Sequence, residues 1–396
     1  MVDRIVLATA GLVFLSILLS PLSRRSGAPI LLLFLAIGML LGEDGPGGID
    51  FDSFDIAFQV GSLILAVILF AGGLDTRLED VRKAAAPAIL LASVGVLVTA
   101  ILVALAVIFL FDRPPMAGLL LGAVVGSTDA AATFLLLRQS GVRLRGRLLE
   151  TITVESGIND PTAIFLTTAA VALIDAGATR IGAEVLPIFA RQLGLGAAIG
   201  LGAGFGLAAL INRIRLEPGL YPPFCLAAAL VVFQATQSLD GSGYLAVYIA
   251  GVLLAGRVRR TMERVQHFHE GLAWLGQIVL FLMLGLLVTP SELPGVAGPA
   301  LVLAAVLIFV ARPLAVVACL APLGFAWREQ LFVGWVGLRG AVPIFLAIIP
   351  VVSPGPVPVV FFDAVFVIVI ASLVLQGWTI PLAARLFGVT EGPPRP

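Results

Sequence analysis

The chain has 396 residues, of which 60% are hydrophobic and only 12% are charged, and its mean hydropathy is +1.10. Soluble domains carry about 25% charged residues, so this composition excludes a water-soluble protein and indicates one that lies in a lipid bilayer. The formal net charge is zero, which argues against a nucleic-acid partner because such a partner requires a basic surface.

Apolar stretches recur along the whole chain at lengths that suit membrane-crossing helices. A helix needs about 20 apolar residues to cross the hydrocarbon core, whereas a barrel strand needs about half as many. Only helices satisfy their own backbone groups over stretches of this length. The sequence therefore predicts an all-α integral membrane protein with thirteen spans, at residues 3–22, 28–42, 55–74, 85–112, 115–137, 148–174, 189–211, 220–239, 242–256, 270–288, 298–322, 328–350 and 357–385.

Arginines occupy alternate loops and predict the orientation of the chain. They follow the first, third, fifth, seventh and ninth spans, as Arg24, Arg25, Arg77, Arg82, Arg138, Arg143, Arg145, Arg147, Arg213, Arg215, Arg257, Arg259, Arg260 and Arg264. The positive-inside rule makes these loops cytoplasmic. We therefore expect a multi-pass protein of the inner or plasma membrane, with its N-terminus outside and its C-terminus in the cytoplasm. The first stretch is interpreted as a retained helix and not as a signal peptide.

Spans in the two halves of the chain resemble each other at a distance of about 214 residues. The second span reads LLLFLAIGMLLG and the ninth reads YLAVYIAGVLLAG. Because an offset of seven spans is odd, the two halves face the membrane in opposite senses, as in transporters with inverted repeats. The prediction is one membrane domain, with a first six-helix repeat at 1–185, a glycine-rich linking helix at 186–215 and a second repeat at 216–390. The alternative is a likeness of composition alone.

Five ionisable side chains lie deep inside predicted spans, where a charge costs at least about 2.5 kcal/mol unless it is paired or hydrated. They are Asp129, Glu155, Asp160, Arg312 and Arg339. Three acids face two arginines, so one acid lacks a fixed counter-ion. Burial favours the neutral form of such an acid, whereas an arriving cation favours its charged form. A site that holds either a proton or a cation is what an exchanger needs, and the alternative is a static ion network.

Two spans predict an interruption near the middle of the bilayer. The fifth contains GSTDAAAT from Gly126 to Thr133, and the twelfth contains GLRGAVP from Gly337 to Pro343; both segments are easily broken as helices. Paired interrupted helices at matching positions are typical of ion sites at the midplane. We expect the carboxylate at position 129 to neutralise the positive ends of the half-helices and the guanidinium at position 339 to neutralise the negative ends.

The sixth span carries the segment ESGINDPTA, whose spacing separates two sets of side chains. Ser156 and Asp160 are four residues apart and share one stripe of the helix, from which both are predicted to face an ion. Glu155 lies on a neighbouring stripe and is predicted to pair with Arg339. Arg312 has two possible partners, the acids at positions 129 and 155.

At these residues the chain resembles the NhaP-type branch of the monovalent cation:proton antiporters, in the sodium/hydrogen exchanger superfamily. The resemblance covers essentially the whole chain and rests on four segments in this order: FAGGLDTR from Phe70, GSTDAAATFLLL from Gly126, ESGINDPTAIF from Glu155 and GLRGAVPIFLA from Gly337. The residues of these segments are most similar to those of the cell-volume-regulation type of potassium/proton antiporter.

The resemblance implies thirteen helices, with a core of ion-binding helices that moves against a dimerisation scaffold. The cation and proton site that it implies consists of Asp160, Asn159, Asp129, Thr128 and Ser156. Within this site, Asp160 is the carrier shared by the cation and the proton. Exchange is expected to be electroneutral, because Asn159 stands where electrogenic relatives have a second aspartate. The resemblance also implies an ion pair between Glu155 and Arg339.

The sequence thus predicts a secondary active antiporter, not an enzyme, that exchanges K+ or Na+ for H+ and forms a homodimer. No cofactor is expected, and the only metal is a monovalent cation at Asp160 and Asp129. The alternatives are a proton-coupled symporter or a channel, and a membrane sensor with a purely structural ion network. Of the remaining ionisable groups, His267, His269 and Asp363 are interpreted as solvated.

Overall fold

The computed structural model describes residues 10–19, 21, 29–177, 185–258, 262–355 and 357–390. Over these residues the chain is helical and has no strand, apart from an isolated bridge between Leu144 and Thr390. The helices are α1 (Ala10–Leu19), α2 (Ile30–Leu41), α3 (Phe54–Asp75), α4 (Leu78–Phe111), α5 (Pro115–Val124), α6 (Ala130–Gln139), α7 (Gly146–Asp175), α8 (Val185–Arg213), α9 (Tyr221–Ser238), α10 (Gly243–Arg257), α11 (Met262–Leu286), α12 (Leu293–Leu323), α13 (Trp327–Trp335), α14 (Ala341–Val352) and α15 (Val360–Leu386).

Seven of the described helices are long and apolar enough to cross a membrane, namely α3, α4, α7, α8, α11, α12 and α15. Shorter apolar helices accompany them, and the predicted all-helical membrane fold is confirmed. The number of thirteen spans stays a prediction; it corresponds to counting α5 with α6, and α13 with α14, as single interrupted spans. Residues 3–9, 20 and 22 of the first predicted span, and the predicted cytoplasmic residues Arg24, Arg25, Arg259 and Arg260, lie outside the described residues.

Two helices begin well before the spans that hydropathy predicted. Helix α4 starts at Leu78 and helix α11 at Met262. Their first turns are polar, so hydropathy does not count them as part of the span although they are helical. His269 therefore lies inside α11, where it is buried, with its Nδ1 atom 2.7 Å from the carbonyl oxygen of Val265. Its interpretation as a solvated residue was wrong, whereas His267 is exposed as predicted.

Asp363 is also buried, with 2% of its surface exposed, so the prediction of a solvated acid was wrong there too. It lies in the first turn of α15, next to Phe362, whose ring packs edge-on against Phe54 of α3 with centroids 5.3 Å apart. Hydropathy places this turn near the membrane surface but does not show that α3 covers it.

Most helix contacts fall within two bundles. Helices α2, α3, α8, α9, α10 and α11 pack together in one bundle, and α4, α5, α7, α12, α13 and α15 pack together in the other. The interrupted pairs α5–α6 and α13–α14 belong to the second bundle. We call the first bundle the scaffold and the second bundle the core.

The two longest core helices each contain one π-helical turn, at Leu91–Gly95 in α4 and at Leu307–Ala311 in α12. These turns lie 216 positions apart in the chain. The turn in α4 packs against the Arg312–Leu320 part of α12, and the turn in α12 packs against the Val96–Phe111 part of α4. This reciprocal packing is what an inverted repeat predicts.

Scaffold helices cross at paired glycines, again in two related places. Gly38 of α2 meets Gly285 of α11, and Gly73 of α3 meets Gly251 of α10. Gly251 lies 213 positions after Gly38, and Gly285 lies 212 positions after Gly73. The crossing of α2 with α11 therefore corresponds to the crossing of α10 with α3. These contacts favour the predicted division into repeats at 1–185 and 216–390.

The glycine crossing between α2 and α11 carries a prediction for stability. A Cβ atom on Gly285 would lie 2.5 Å from the carbonyl oxygen of Leu35, so Gly285→Ala forces the backbones apart. We expect a loss of about 1–3 kcal/mol, measured as a lower melting temperature in detergent. Gly271→Ala on the same helix is the matched control, because a methyl group there meets nothing within 4 Å. Equal melting temperatures for the two variants would contradict the role of this crossing.

Candidate functional site

The first interruption separates α5 from α6 in the core. Helix α5 ends at Val124, and the chain runs through Gly126, Ser127 and Thr128 before α6 begins. Asp129 is the N-cap of α6: its backbone is extended, and its Oδ1 atom accepts a hydrogen bond of 3.0 Å from the N–H of Ala132. Serine, threonine and aspartate compete for backbone groups and favour such a cap, which explains why the helix breaks here.

The second interruption separates α13 from α14 and touches the first one. The N–H of Asp129 donates a hydrogen bond of 2.8 Å to the carbonyl oxygen of Leu338. Gly340, the residue before α14, lies so close that a Cβ atom there would be 2.2 Å from Asp129 Oδ2. A glycine is therefore required at position 340. The carboxylate of Asp129 thus lies at the N-terminal ends of two half-helices, where the helix dipoles favour a negative charge.

Arg339 supplies the opposite charge at the same crossing. Its Nη1 atom donates to the carbonyl oxygens of Gly126, at 2.9 Å, and of Ser127. These carbonyls follow the C-terminal end of α5, where the helix dipole favours a cation. Arg339 is 1% exposed, so the pairing occurs away from solvent. The two charges of the crossing occupy the half-helix ends expected from the sequence.

Helix α7 holds the first interruption through two side chains. Ser156 Oγ donates a hydrogen bond of 3.2 Å to the carbonyl oxygen of Thr128. Asn159 Nδ2 donates one of 2.6 Å to Thr128 Oγ1. Asp160 follows on the same helix and lines one cavity together with Thr128, Asp129 and Ser156. The structure thus brings together the predicted ion-binding residues, which are Asp160, Asn159, Asp129, Thr128 and Ser156.

Asp160 is the buried acid whose oxygen lacks a protein partner. It is 7% exposed, and its Oδ1 atom accepts no hydrogen bond from the described residues. The Oδ1 atom of Asn159 is likewise buried and unsatisfied by them. Buried polar atoms are nearly always satisfied, so the unsatisfied Oδ1 atom of Asp160, which lines the cavity, indicates a place for a proton or a cation.

A cavity of about 900 Å³ leads from Asp160 towards one face of the protein. Its walls come from both bundles, with Leu65 and Ile68 on scaffold helix α3 and Ala341 on core helix α14. Charged residues of the arginine-rich segments also line it, namely Arg77, Asp80, Arg138, Arg143 and Glu150. The cavity therefore connects the buried acid with the face on which the predicted cytoplasmic loops lie.

Aromatic rings fill the space between the bundles on the other side of the crossing. Phe345 of α14 is stacked on Phe58 of α3, with ring centroids 5.6 Å apart and planes inclined by 2°. Phe345 is 1% exposed. Gly61 makes room for its ring, since a Cβ atom there would lie 2.7 Å from Phe345 Cδ2. Core and scaffold are thus packed together at these rings, whereas the cavity lies between parts of the two bundles near Asp160.

The predicted ion pair between Glu155 and Arg339 is wrong. Glu155 pairs instead with Arg312 of α12, with 2.5 Å between Oε1 and Nη2, and both side chains are at most 3% exposed. The guanidinium of Arg339 binds the carbonyls after α5 through its Nη1 atom. Gly337 provides the space for Arg312, since a Cβ atom there would lie 2.9 Å from Arg312 Nε. Of the two partners left open for Arg312, the structure selects Glu155.

Two buried residues of α15 at the second interruption escaped the sequence analysis. Ser372 Oγ accepts a hydrogen bond of 3.1 Å from the N–H of Arg339, and Gln376 Nε2 donates one of 2.7 Å to the carbonyl oxygen of Trp335. The amide side chain of Gln376 could have indicated them, because it lies in the middle of an apolar span, where unpaired polar groups are costly.

The family model for "Sodium/hydrogen exchanger, transmembrane" matches residues 12–386. The K(+)/H(+) antiporter NhaP of Alkalimonas amylolytica is 45% identical over 384 residues, which cover 97% of this chain and 67% of that protein. The K(+)/H(+) antiporter NhaP2 of Shewanella oneidensis is 44% identical over 397 residues, which cover 100% of this chain and 69% of that protein.

A solved structure shares the fold. The sodium proton antiporter MjNhaP1 from Methanocaldococcus jannaschii at pH 8 superposes with a TM-score of 0.84 at 22% identity, covering 96% of this chain and 98% of that one. This likeness concerns the arrangement of helices. Because the family model spans nearly the whole chain and relatives reach 45% identity, the chain belongs to the sodium/hydrogen exchanger family.

Proposed function

We propose that this chain exchanges one monovalent cation, K+ before Na+, for one proton through the carboxylate of Asp160. Family membership makes the chain a cation/proton antiporter, and therefore a transporter rather than an enzyme. Relatives at 43–45% identity are named K(+)/H(+) antiporters, which favours K+ as the ion. The observation that carries the mechanism is the buried Oδ1 atom of Asp160, which no described protein group satisfies.

The oxygens around Asp160 suit a monovalent cation. K+ and Na+ bind hard oxygen ligands, and Asn159 Oδ1 is a second unsatisfied oxygen on the same helix. Asn159 keeps this orientation because its amide nitrogen is bound to Thr128 Oγ1. Asp129 and Ser156 border the same cavity and complete an oxygen-rich site. A proton on Asp160 removes the charge that attracts the cation, so the two ions compete for one carboxylate.

The pairing of the buried charges supports electroneutral exchange. Glu155 is paired with Arg312, while Asp129 and Arg339 compensate opposite ends of the half-helices. Asp160 is thus the acid without a fixed counter-ion among the five predicted buried charges. When one cation replaces one proton on this carboxylate, the charge of the loaded site does not change. Each cycle then moves no net charge across the membrane.

The cavity supports alternating access between the two sides of the membrane. It opens at arginine-rich segments, which the positive-inside rule assigns to the cytoplasm. We therefore assign this conformation as open to the cytoplasm of a protein in the inner or plasma membrane. Movement of the core against the scaffold would close the cavity and separate Phe345 from Phe58 on the outer side.

Glycines on two faces of α8 support the proposed homodimer. Gly196, Gly200 and Gly204 face α10, where added Cβ atoms would meet neighbouring residues at 2.7–2.8 Å, whereas Gly194 and Gly202 face open space. Small residues on an open helix face allow a second helix to approach closely. Light scattering of the detergent-solubilised protein tests this assignment, and a monomeric mass would contradict it.

Ion exchange in proteoliposomes tests the proposed function. An imposed K+ gradient is expected to drive protons in the opposite direction. Acidification should raise the half-saturating K+ concentration, by up to about tenfold per pH unit, because protons and K+ compete by mass action. Repeating the assay with Na+ measures the ion preference, and empty liposomes give the background.

The same vesicles separate the alternatives. With equal K+ on both sides and valinomycin holding the membrane potential at zero, an electroneutral exchanger driven by an imposed pH gradient keeps the rate that it has without valinomycin, so a rate that depends on the potential would contradict one-for-one exchange. A current without coupled proton movement would indicate a channel, and protons that move together with the cation would indicate a symporter. A membrane sensor would show no ion movement at all.

A further inference from the structure

Helix α15 presents two buried polar side chains to the second interruption. Ser372 is 0% exposed and Gln376 is 1% exposed. Ser372 Oγ accepts from the N–H of Arg339 at 3.1 Å and donates to Gln376 Oε1 at 2.5 Å. Gln376 Nε2 donates to the carbonyl oxygen of Trp335 at 2.7 Å. One chain of hydrogen bonds thus joins Trp335, the last residue of α13, to Arg339, which binds the carbonyls of the first interruption.

These two residues occupy the positions that correspond to Ser156 and Asp160 in the other repeat. Ser372 lies 216 positions after Ser156, and Gln376 lies 216 positions after Asp160, the same offset that separates the two π turns. Helix α7 presents its pair to the first interruption, and α15 presents its pair to the second. An inverted repeat places such pairs on equivalent faces of the crossing.

The two pairs differ in charge and in how fully they are bonded. Asp160 has an unsatisfied oxygen, whereas both the oxygen and the nitrogen of the Gln376 amide make hydrogen bonds. The second pair therefore has no free oxygen to offer an ion. Its contribution is to satisfy backbone groups that the break leaves without helical partners, in a region where such groups are expensive to leave unpaired.

We propose that Ser372 and Gln376 are positioning residues for the ion site, and this inference rests on the proposed function. They fix the backbone of the second interruption and so keep Arg339 on the carbonyls of Gly126 and Ser127. Those carbonyls directly precede Thr128, the residue to which side chains of α7 next to Asp160 donate hydrogen bonds. Removing the hydrogen bonds of Ser372 and Gln376 therefore shifts the oxygen ligands of the cation, although neither residue is itself a ligand.

Transport kinetics of α15 variants test the proposal. Gln376→Leu removes both amide bonds, and Ser372→Ala removes the acceptor for the Arg339 N–H with little change in volume. We expect each to raise the KM for K+ about tenfold, the factor that corresponds to 1.4 kcal/mol, with kcat per inserted protein changed less than KM. Thr379→Val is the matched control, because this hydroxyl of α15 accepts a hydrogen bond from the Trp335 side chain and none from the broken backbone.

A double variant adds a second test. Because the two residues act in one hydrogen-bond chain, Ser372→Ala combined with Gln376→Leu should raise KM by less than the product of the single effects. If wild type exchanges ions and Ser372→Ala keeps the wild-type KM, the inference is overturned while the proposed function stands. If Gln376→Leu does not insert, Ser372→Ala alone decides. A wild type without exchange would overturn the proposed function and this inference with it.

Discussion

Asp160→Asn is expected to abolish exchange, to the background of empty liposomes and at least about a hundredfold below wild type. Asparagine preserves the shape of the side chain but neither binds a proton near neutral pH nor carries the charge that attracts a cation. The cost of removing a charged ligand from a buried site is several kcal/mol, and each 1.4 kcal/mol is a factor of ten in binding. The measurement is K+-driven proton flux in proteoliposomes.

A matched variant separates the role of this carboxylate from a general effect of the substitution. Asp175→Asn makes the same change at the exposed C-terminal end of the same helix and should transport as wild type does. Asp160→Asn should also melt at least as high as wild type, because it removes an acid without a fixed counter-ion. Exchange that persists in Asp160→Asn would refute the assignment of the carrier.

Removing one partner of the Glu155–Arg312 pair is expected to cause the largest loss of stability. Arg312→Met leaves Glu155 as an uncompensated charge in a region that is almost closed to solvent, since the two side chains are 2% and 3% exposed. Breaking a buried pair in this way costs about 3–5 kcal/mol. The loss appears as a lower melting temperature in detergent and as less protein in the membrane.

A double-mutant cycle shows whether this loss belongs to the pair. Glu155→Gln together with Arg312→Met removes both charges and should recover much of the stability, because replacing a buried pair is far cheaper than breaking it. The surface pair Arg191–Asp240 is the comparison: its side chains are 65% and 83% exposed, and Arg191→Met should cost at most about 1 kcal/mol. Additive losses at positions 155 and 312 would show that the two residues stabilise the fold independently.

The interrupted helices show which features of the structure the local sequence can predict. The segment around Asp129 was predicted to break its helix because glycine, serine and threonine favour other backbone conformations, and the structure confirms this break and the one before Ala341. Repeat symmetry was visible only as a weak likeness of apolar spans. The reciprocal π turns and the paired glycines support the predicted repeats more strongly.

The sequence alone predicted the membrane fold, the two helix breaks and the burial of Glu155, Asp160, Arg312 and Arg339. These follow from the transfer of segments into lipid and from local backbone preference, which are properties of short stretches of chain. Asp129 is only half-buried, and the buried Asp363 was missed. The packing of the helices, which the sequence does not reveal, pairs Glu155 with Arg312, buries His269 and brings α15 to the second break. The reason is that the partner of a buried polar group depends on which helix faces it, and helix packing joins residues that lie far apart in the sequence.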